Sequence, residues 1–247
     1  MKYLSYLLLT LFLFPKEATP KEEKNSKEDP FVLIQLFTSQ GCSSCPPANK
    51  LIEKVNNEYK GKKVFVLSYH VDYWNRLGWA DPFSKREFTE IQYKYADQFK
   101  ERRVYTPQIV VNGKEHFIGS NESKLRKKIK KHLSSKPENS VVFSSKKNAD
   151  GDLILDYEVS GDVTNKRLKL AFVLTNCITE IKSGENRNKT LTNTNVVLKE
   201  FVLELNNKHT GSLTIPGTSI EVKKELTLIS FVQDDQLEIT GASQFNL

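Results

Sequence analysis

The spacing of apolar side chains changes near the middle of the chain. From Phe31 to Leu133, short apolar runs alternate with segments whose apolar positions recur every three or four residues. FVLIQLF (31–37) and KVFVLSYHV (63–71) have the compact, β-rich composition of strands covered on both faces. ANKLIEKVNNEY (48–59) sets Leu51, Ile52 and Val55 on one helical face, and Gly61 ends it. SKREFTEIQYKYADQF (84–99) repeats the pattern with Phe88, Ile91, Tyr95 and Phe99, and Ser84 is the expected N-cap. TPQIVVNGKEHFIG then predicts a hairpin turning at Asn112-Gly113, and NESKLRKKIKKHL a basic amphipathic helix. The resulting order, βαβαββα, describes a small α/β sheet whose first three elements form a parallel unit.

Beyond Pro137 the helical period is gone. SVVFSSKK, LILDYEVSG, KRLKLAFVLTN, VVLKEFVLELN, GSLTI and SIEVKKELTLISFVQ are alternating strands separated by turns such as Ala149-Asp150-Gly151. About 110 residues of this kind predict an antiparallel, sandwich-like all-β domain. Two domains are therefore expected, at 31–136 and 137–247, with proline and polar residues near 134–139 at the boundary.

The first thirty residues fit neither half. Lys2 and the apolar run from Leu4 to Phe14 are too short to span a bilayer but suit a secretory signal peptide over 1–18. Residues 19–30 read as a disordered, charged spacer. The expected location is outside the cytoplasm, in the periplasm or extracellular space, with no stable membrane span once the leader is removed. The leader and spacer carry five Lys and five acids, so the net charge of +7 belongs to the folded part. Six basic residues lie between Lys124 and Lys131, where a solvated helix face is the plain explanation. No recognition motif accompanies the charge, and nucleic acid is not an expected partner.

Export gives meaning to FTSQGCSSCPPANK (37–50), where two of the three cysteines stand three positions apart. A structural crosslink explains the pair poorly, because closing so short a loop contributes only about 2 kcal/mol. A soft metal such as copper(I) could be held by Cys42, Cys45 and His70, although a closed zinc site lacks further ligands. A redox couple accounts best for the position at a strand-to-helix turn, where helix amides favour a thiolate. Cys42 would attack and should be the more exposed sulfur, with Cys45 deeper as the resolving thiol. Pro46 and Pro47 weaken the amide effect; they place the regular helix start at or just after themselves. Thr106-Pro107 opens the strand after two βα units, where a thioredoxin-like fold sets a cis-proline against the sulfurs.

The stretches LFTSQGCSSCPPA, HVDYWNRLGWADPFS, VYTPQIVVNG and GENRNKTLTNTNVV together resemble a bacterial family of secreted thioredoxin-like proteins of unestablished function. That resemblance implies a thioredoxin-like domain fused to a β-rich one, with a redox site at Cys42, Cys45 and Pro107 supported by Thr106. Asn75 stands where relatives often carry aspartate, so no carboxylate role is assigned there. In the HVDYW block, His70 or Asp72 could accept a proton from Cys45, and Tyr73, Trp74 and Trp79 could line a groove. The plain alternative is a core-filling insertion with a strand-end histidine. The GEN stretch is either an ordered polar loop or a segment docking Glu185, Asn186 and Asn195 onto the first domain. Cys177 is expected to be buried as a small apolar residue.

These features predict exchange of disulfides with partner thiol proteins through Cys42 and Cys45, without a dissociable cofactor or a resident metal. A copper(I) chaperone and a non-enzymatic envelope binding protein are the alternatives.

Overall fold

The computed structural model describes residues 29–217 and 226–246. The expected leader (1–18) and most of the expected spacer (19–30) lie outside the described residues. The first half runs β1 (Val32–Thr38), α1 (Pro46–Glu58), β2 (Val64–His70), α2 (Arg86–Gln98), β3 (Gln108–Val111), β4 (Glu115–Ile118) and α3 (Glu122–His132). The second half is β5 (Ser140–Lys147), β6 (Leu153–Ser160), β7 (Arg167–Glu180), β8 (Thr190–Glu204), β9 (Thr210–Ile215), β10 (Leu226–Gln233) and β11 (Ile239–Asn246).

Every residue of β1 and β2 is buried, as their apolar runs require. One face of these strands, through Ile34, Leu36 and Val66, packs on Ala48, Ile52 and Val55 of α1 and on Leu125 and Ile129 of α3. The other face, through Leu33, Phe37, Leu67 and Tyr69, packs on Phe88 and Tyr95 of α2. β1 and β2 are parallel, while β3 is antiparallel to β1 and β4 to β3.

The fold is mostly β. It has one mixed eight-stranded sheet in the order β11-β10-β7-β8-β2-β1-β3-β4 and a three-stranded sheet, β5-β6-β9. The smaller sheet lies over the far half of the large one, where Leu155, Val159 and Ile215 meet Leu168, Leu170, Phe172, Leu228 and Val232. The second half is thus sandwich-like, but its larger layer is not a separate sheet. β8 joins β2 in parallel at Ser68 and Val196. A strand buried on both faces cannot leave its edge groups bare. The Ser68 hydroxyl donates to the Thr194 carbonyl (2.7 Å), and the Tyr69 hydroxyl to Glu200 (2.5 Å), across that seam.

Two local expectations change. Lys85, not Ser84, is the N-cap of α2; the Ser84 hydroxyl donates instead to the Asp81 carbonyl at 2.8 Å. β11 has no counterpart in the strands read from the sequence, because ITGASQFN carries few large apolar side chains.

The β3–β4 turn shows how tightly the ends of the large sheet are tied. Asn112 and Gly113 both have positive φ (49° and 69°), as a two-residue hairpin turn requires. The Asn112 carbonyl accepts from the Ile239 amide at 2.9 Å, at the start of β11. A Cβ on Gly113 would lie 1.9 Å from the Leu237 carbonyl oxygen. Gly113→Ala is therefore expected to cost about 3 kcal/mol through strain and overlap. Urea unfolding measures this; an unchanged midpoint would contradict the close approach.

Candidate functional site

Cys42 and Cys45 lie in the turn between β1 and α1. Cys45 is the N-cap of α1 in helical conformation, and Pro46 and Pro47 occupy its first positions, as the sequence predicts. The two sulfurs are joined in a disulfide, with the Cα atoms 5.4 Å apart. Ser39 organises the approach: its hydroxyl accepts from the Gly41 amide (3.1 Å) and its carbonyl from the Cys42 amide (3.2 Å). Ser43 and Ser44 are exposed, yet both cysteines are 0 % exposed. The expectation of a more exposed Cys42 is thus incorrect for the disulfide form, because three other segments close over the turn.

The first is the 105–107 segment. The Thr106-Pro107 peptide is cis. The Thr106 hydroxyl donates to Cys42 Sγ at 3.3 Å, and the Ser44 hydroxyl lies 3.4 Å from both that sulfur and the Thr106 carbonyl oxygen. Pro107 is seated by a close neighbour, since a Cβ on Gly119 would come within 3.0 Å of its ring.

The second segment is the aromatic block after β2. Trp74 Nε1 donates to the Thr106 hydroxyl at 2.8 Å, so an indole, a hydroxyl and Cys42 Sγ form one chain. A Cβ on Gly41 would meet Trp74 Cβ at 3.4 Å, which fixes how closely the indole approaches the turn. The Tyr73 hydroxyl donates to Gln92 of α2 (3.2 Å), and burial pushes its pKa up to about 12. Asp72 accepts from the Thr89 hydroxyl at 2.6 Å, and neither sulfur is its partner. Trp79 Nε1 donates to the Gln40 side chain at 3.2 Å.

His70 is fully buried and its Nδ1 lies 2.7 Å from Asp81 Oδ2, so that nitrogen meets a carboxylate rather than Cys45. Its Nε2 has no hydrogen-bond partner among the described residues. Asp81 also accepts from the backbone amides of Gln40 (2.7 Å) and Phe83 (3.0 Å). Burial pushes the Asp81 carboxyl up, but His70 and the two amides outweigh it and hold the pKa below the ordinary carboxylate value. A lowered folded-state pKa contributes stability above the unfolded value and loses it as pH falls through the folded one. Asp81→Asn should therefore cost about 3 kcal/mol at neutral pH and flatten the acid limb of the stability profile. Parallel pH–stability curves for the two proteins would contradict this.

The third segment, the turn between β7 and β8, comes from the second half of the chain. Asn186 is 0 % exposed, and its Nδ2 donates to the carbonyls of Gln40 (2.9 Å) and Cys42 (2.8 Å). Glu185 accepts from the Ser43 amide at 3.1 Å, and the Ser43 hydroxyl together with that amide keeps its pKa low. Asn195 donates to Asn56 of α1 at 3.2 Å. Of the two readings of the GEN stretch, docking onto the first half is the one the hydrogen bonds show. The Gln40 amide group adds a further link, donating to Thr179 (2.9 Å) and Asn193 (3.3 Å).

Cys42, Cys45, Thr106 and Trp74 are thus brought together, with Pro107 next to Thr106 across the cis bond, whereas His70 pairs with Asp81 and Asp72 with Thr89. Gln40, Asp81 and Asn193 also belong to the site, which the sequence analysis does not predict. A signal existed for Asp81, a lone carboxylate within the apolar stretch Trp79-Ala80-Asp81-Pro82-Phe83. Among the described residues no three His, Cys, Asp or Glu side chains are grouped to hold a metal ion. Cys177 is buried in β7, opposite Asn193. No helix of the described residues is long and apolar enough to cross a membrane.

No curated protein matches the chain. Its structure is similar to a crystal structure of an Agrobacterium tumefaciens protein from a structural genomics consortium. The TM-score is 0.66 at 27% sequence identity, over 87% of this chain and 93% of that one. The family model described as a protein of unknown function (DUF1223) matches residues 33–233, so the chain belongs to that family.

Proposed function

We propose that the protein is an exported thiol–disulfide oxidoreductase whose residues 31–136 form a thioredoxin-like domain. The observation that carries this reading is the pair itself: Cys42 and Cys45 bonded at the N-terminus of α1, with the Thr106 hydroxyl on Cys42 Sγ. The arrangement β2-β1-β3-β4, with β1 and β2 parallel and the β3–β4 hairpin antiparallel, supports the thioredoxin-like assignment. The apolar leader supports export.

In the reduced protein a Cys42 thiolate attacks a partner disulfide. One S–S bond forms to Cys42 as the partner's bond breaks, and the first partner sulfur leaves as a thiolate. Cys45, deprotonated, then attacks Cys42 Sγ and expels the second partner sulfur. The partner gains two electrons and the Cys42–Cys45 disulfide is restored. A hydroxyl donating to Cys42 Sγ favours its thiolate, compensating for the amides that Pro46 and Pro47 lack. A partner thiol protein would return the pair to the dithiol.

The burial of both sulfurs favours a second reading, in which the disulfide is structural and the protein is a binding module. Titrating the pair in thiol–disulfide buffers decides between them. The redox reading expects a two-electron transition above about −300 mV; a pair still oxidised below that value would favour the structural one.

A further inference from the structure

Resting on that reading, we infer that Gln92 of α2 is a positioning residue for the exchange step: it holds the Thr106 hydroxyl on Cys42 Sγ and thereby favours the Cys42 thiolate. Gln92 is 0 % exposed, on the face of α2 that also carries Phe88 and Tyr95 into the core. A buried primary amide has two N–H donors and a carbonyl acceptor to satisfy. Its Nε2 donates to the Tyr105 carbonyl (2.8 Å) and to Gln108 Oε1 (2.8 Å), and its Oε1 accepts from the Tyr73 hydroxyl (3.2 Å). Both donors and the acceptor are therefore used.

These three partners adjoin the groups that reach the sulfur. Tyr105 and Gln108 bracket Thr106 and Pro107, and Tyr73 precedes Trp74. Trp74 Nε1 donates to the Thr106 hydroxyl at 2.8 Å, and that hydroxyl donates to Cys42 Sγ at 3.3 Å. An indole N–H can only donate, so the hydroxyl proton is left for the sulfur. One buried side chain thus joins the two segments, 73–74 and 105–108, whose relative position sets the last contact. On the β4 side the same loop is held by other groups. The Tyr105 hydroxyl lies 3.0 Å from His116 Nδ1, and the Gly119 amide donates to the Pro107 carbonyl at 2.8 Å. Gln92 links the loop to α2 and to the Trp74 segment.

The position calls for an amide. A hydrogen bond donated to a sulfur stabilises its ionised form, and such bonds weaken steeply with distance and angle, so a loosened loop raises the thiol pKa. Glutamate at 92 would keep an acceptor for Tyr73 but set an oxygen against the Tyr105 carbonyl oxygen. Methionine would fill a similar volume and donate nothing. Glu185 and Asp81, the carboxylates that accept from the Ser43 and Gln40 amides of the cysteine turn, are the same in both variants.

The test follows alkylation of Cys42 by iodoacetamide across pH in the reduced full chain, with the modified peptide identified by mass spectrometry. Gln92→Met and Gln92→Glu should each raise the Cys42 midpoint by about one pH unit. Reaction with oxidised glutathione below the wild-type midpoint should slow about threefold, because an about tenfold smaller thiolate fraction is partly offset by greater nucleophilicity. In a Thr106→Val background neither substitution should move the midpoint further, since the effect passes through that hydroxyl. A lower melting temperature with the Cys42 midpoint unmoved would overturn the inference. So would shifts that add fully to that of Thr106→Val, or failure of both variants to fold. Gln92-dependent midpoints in a protein that does not react with oxidised glutathione would uphold the positioning role and defeat the redox reading. Exchange that is indifferent to Gln92 would do the reverse.

Discussion

Asn186→Ala is expected to lower the stability of the whole protein by about 3 kcal/mol, although the residue lies on a turn. The side chain is fully buried and donates to two carbonyls, those of Gln40 and Cys42. Truncation leaves both acceptors without that donor, and an unsatisfied buried group costs about 1–3 kcal/mol. It also removes the acceptor of the exposed Lys189 ammonium, which donates to Asn186 Oδ1 at 2.9 Å. For a folded part of this size, the loss corresponds to a fall in melting temperature of roughly 6–12 °C. The variant should also show faster reduction of the Cys42–Cys45 disulfide by a small phosphine, because the clasp on the turn is released. Glu185→Gln is the comparison, since its contact with the Ser43 amide is at an exposed residue. A melting temperature unchanged in Asn186→Ala would refute the account of this turn as part of the site.

The elements of the first half were legible because each of them solves a local problem. The Leu51, Ile52 and Val55 stripe has one way to bury itself, and α1 does so against β1 and β2. The double proline after Cys45 fixed the helix start to within a residue. What was illegible depends on partners distant in the chain. β2 has no local mark saying that β8 covers its edge, since Ser68 meets Thr194 across 126 positions. Asn186 reads as an ordinary turn residue until the Cys42 carbonyl is placed against it. Asp81 belonged to a motif, but its tie to the Gln40 amide follows from the fold of the insertion between β2 and α2. The burial of the sulfurs is hidden from the sequence for the same reason. A position before a helix suggests exposure, and the segments that cover it arrive from three separate places.

Trapping of partners by single-cysteine variants has the largest expected effect and bears on the central claim, exchange through Cys42. Cys42 Sγ accepts from the Thr106 hydroxyl, itself held by the Trp74 indole, and the exposed Ser43 and Ser44 adjoin it. Cys45 caps α1 among buried neighbours, with Ala48 and Asn49 bonded to its carbonyl. The favoured thiolate is therefore Cys42, and Cys45 is the thiol that releases the partner. Cys45→Ser should form the mixed disulfide and fail to resolve it, so covalent adducts accumulate. Cys42→Ser should give few. The measurement is non-reducing electrophoresis of tagged variants from cells quenched in acid, which freezes exchange by protonating thiolates. The account predicts adducts in Cys45→Ser that vanish on reduction and in the double variant. Adducts confined to Cys42→Ser would reverse the roles of the two sulfurs, and none in either variant, with both replacing the wild-type chain in a deletion strain, would contradict the claim.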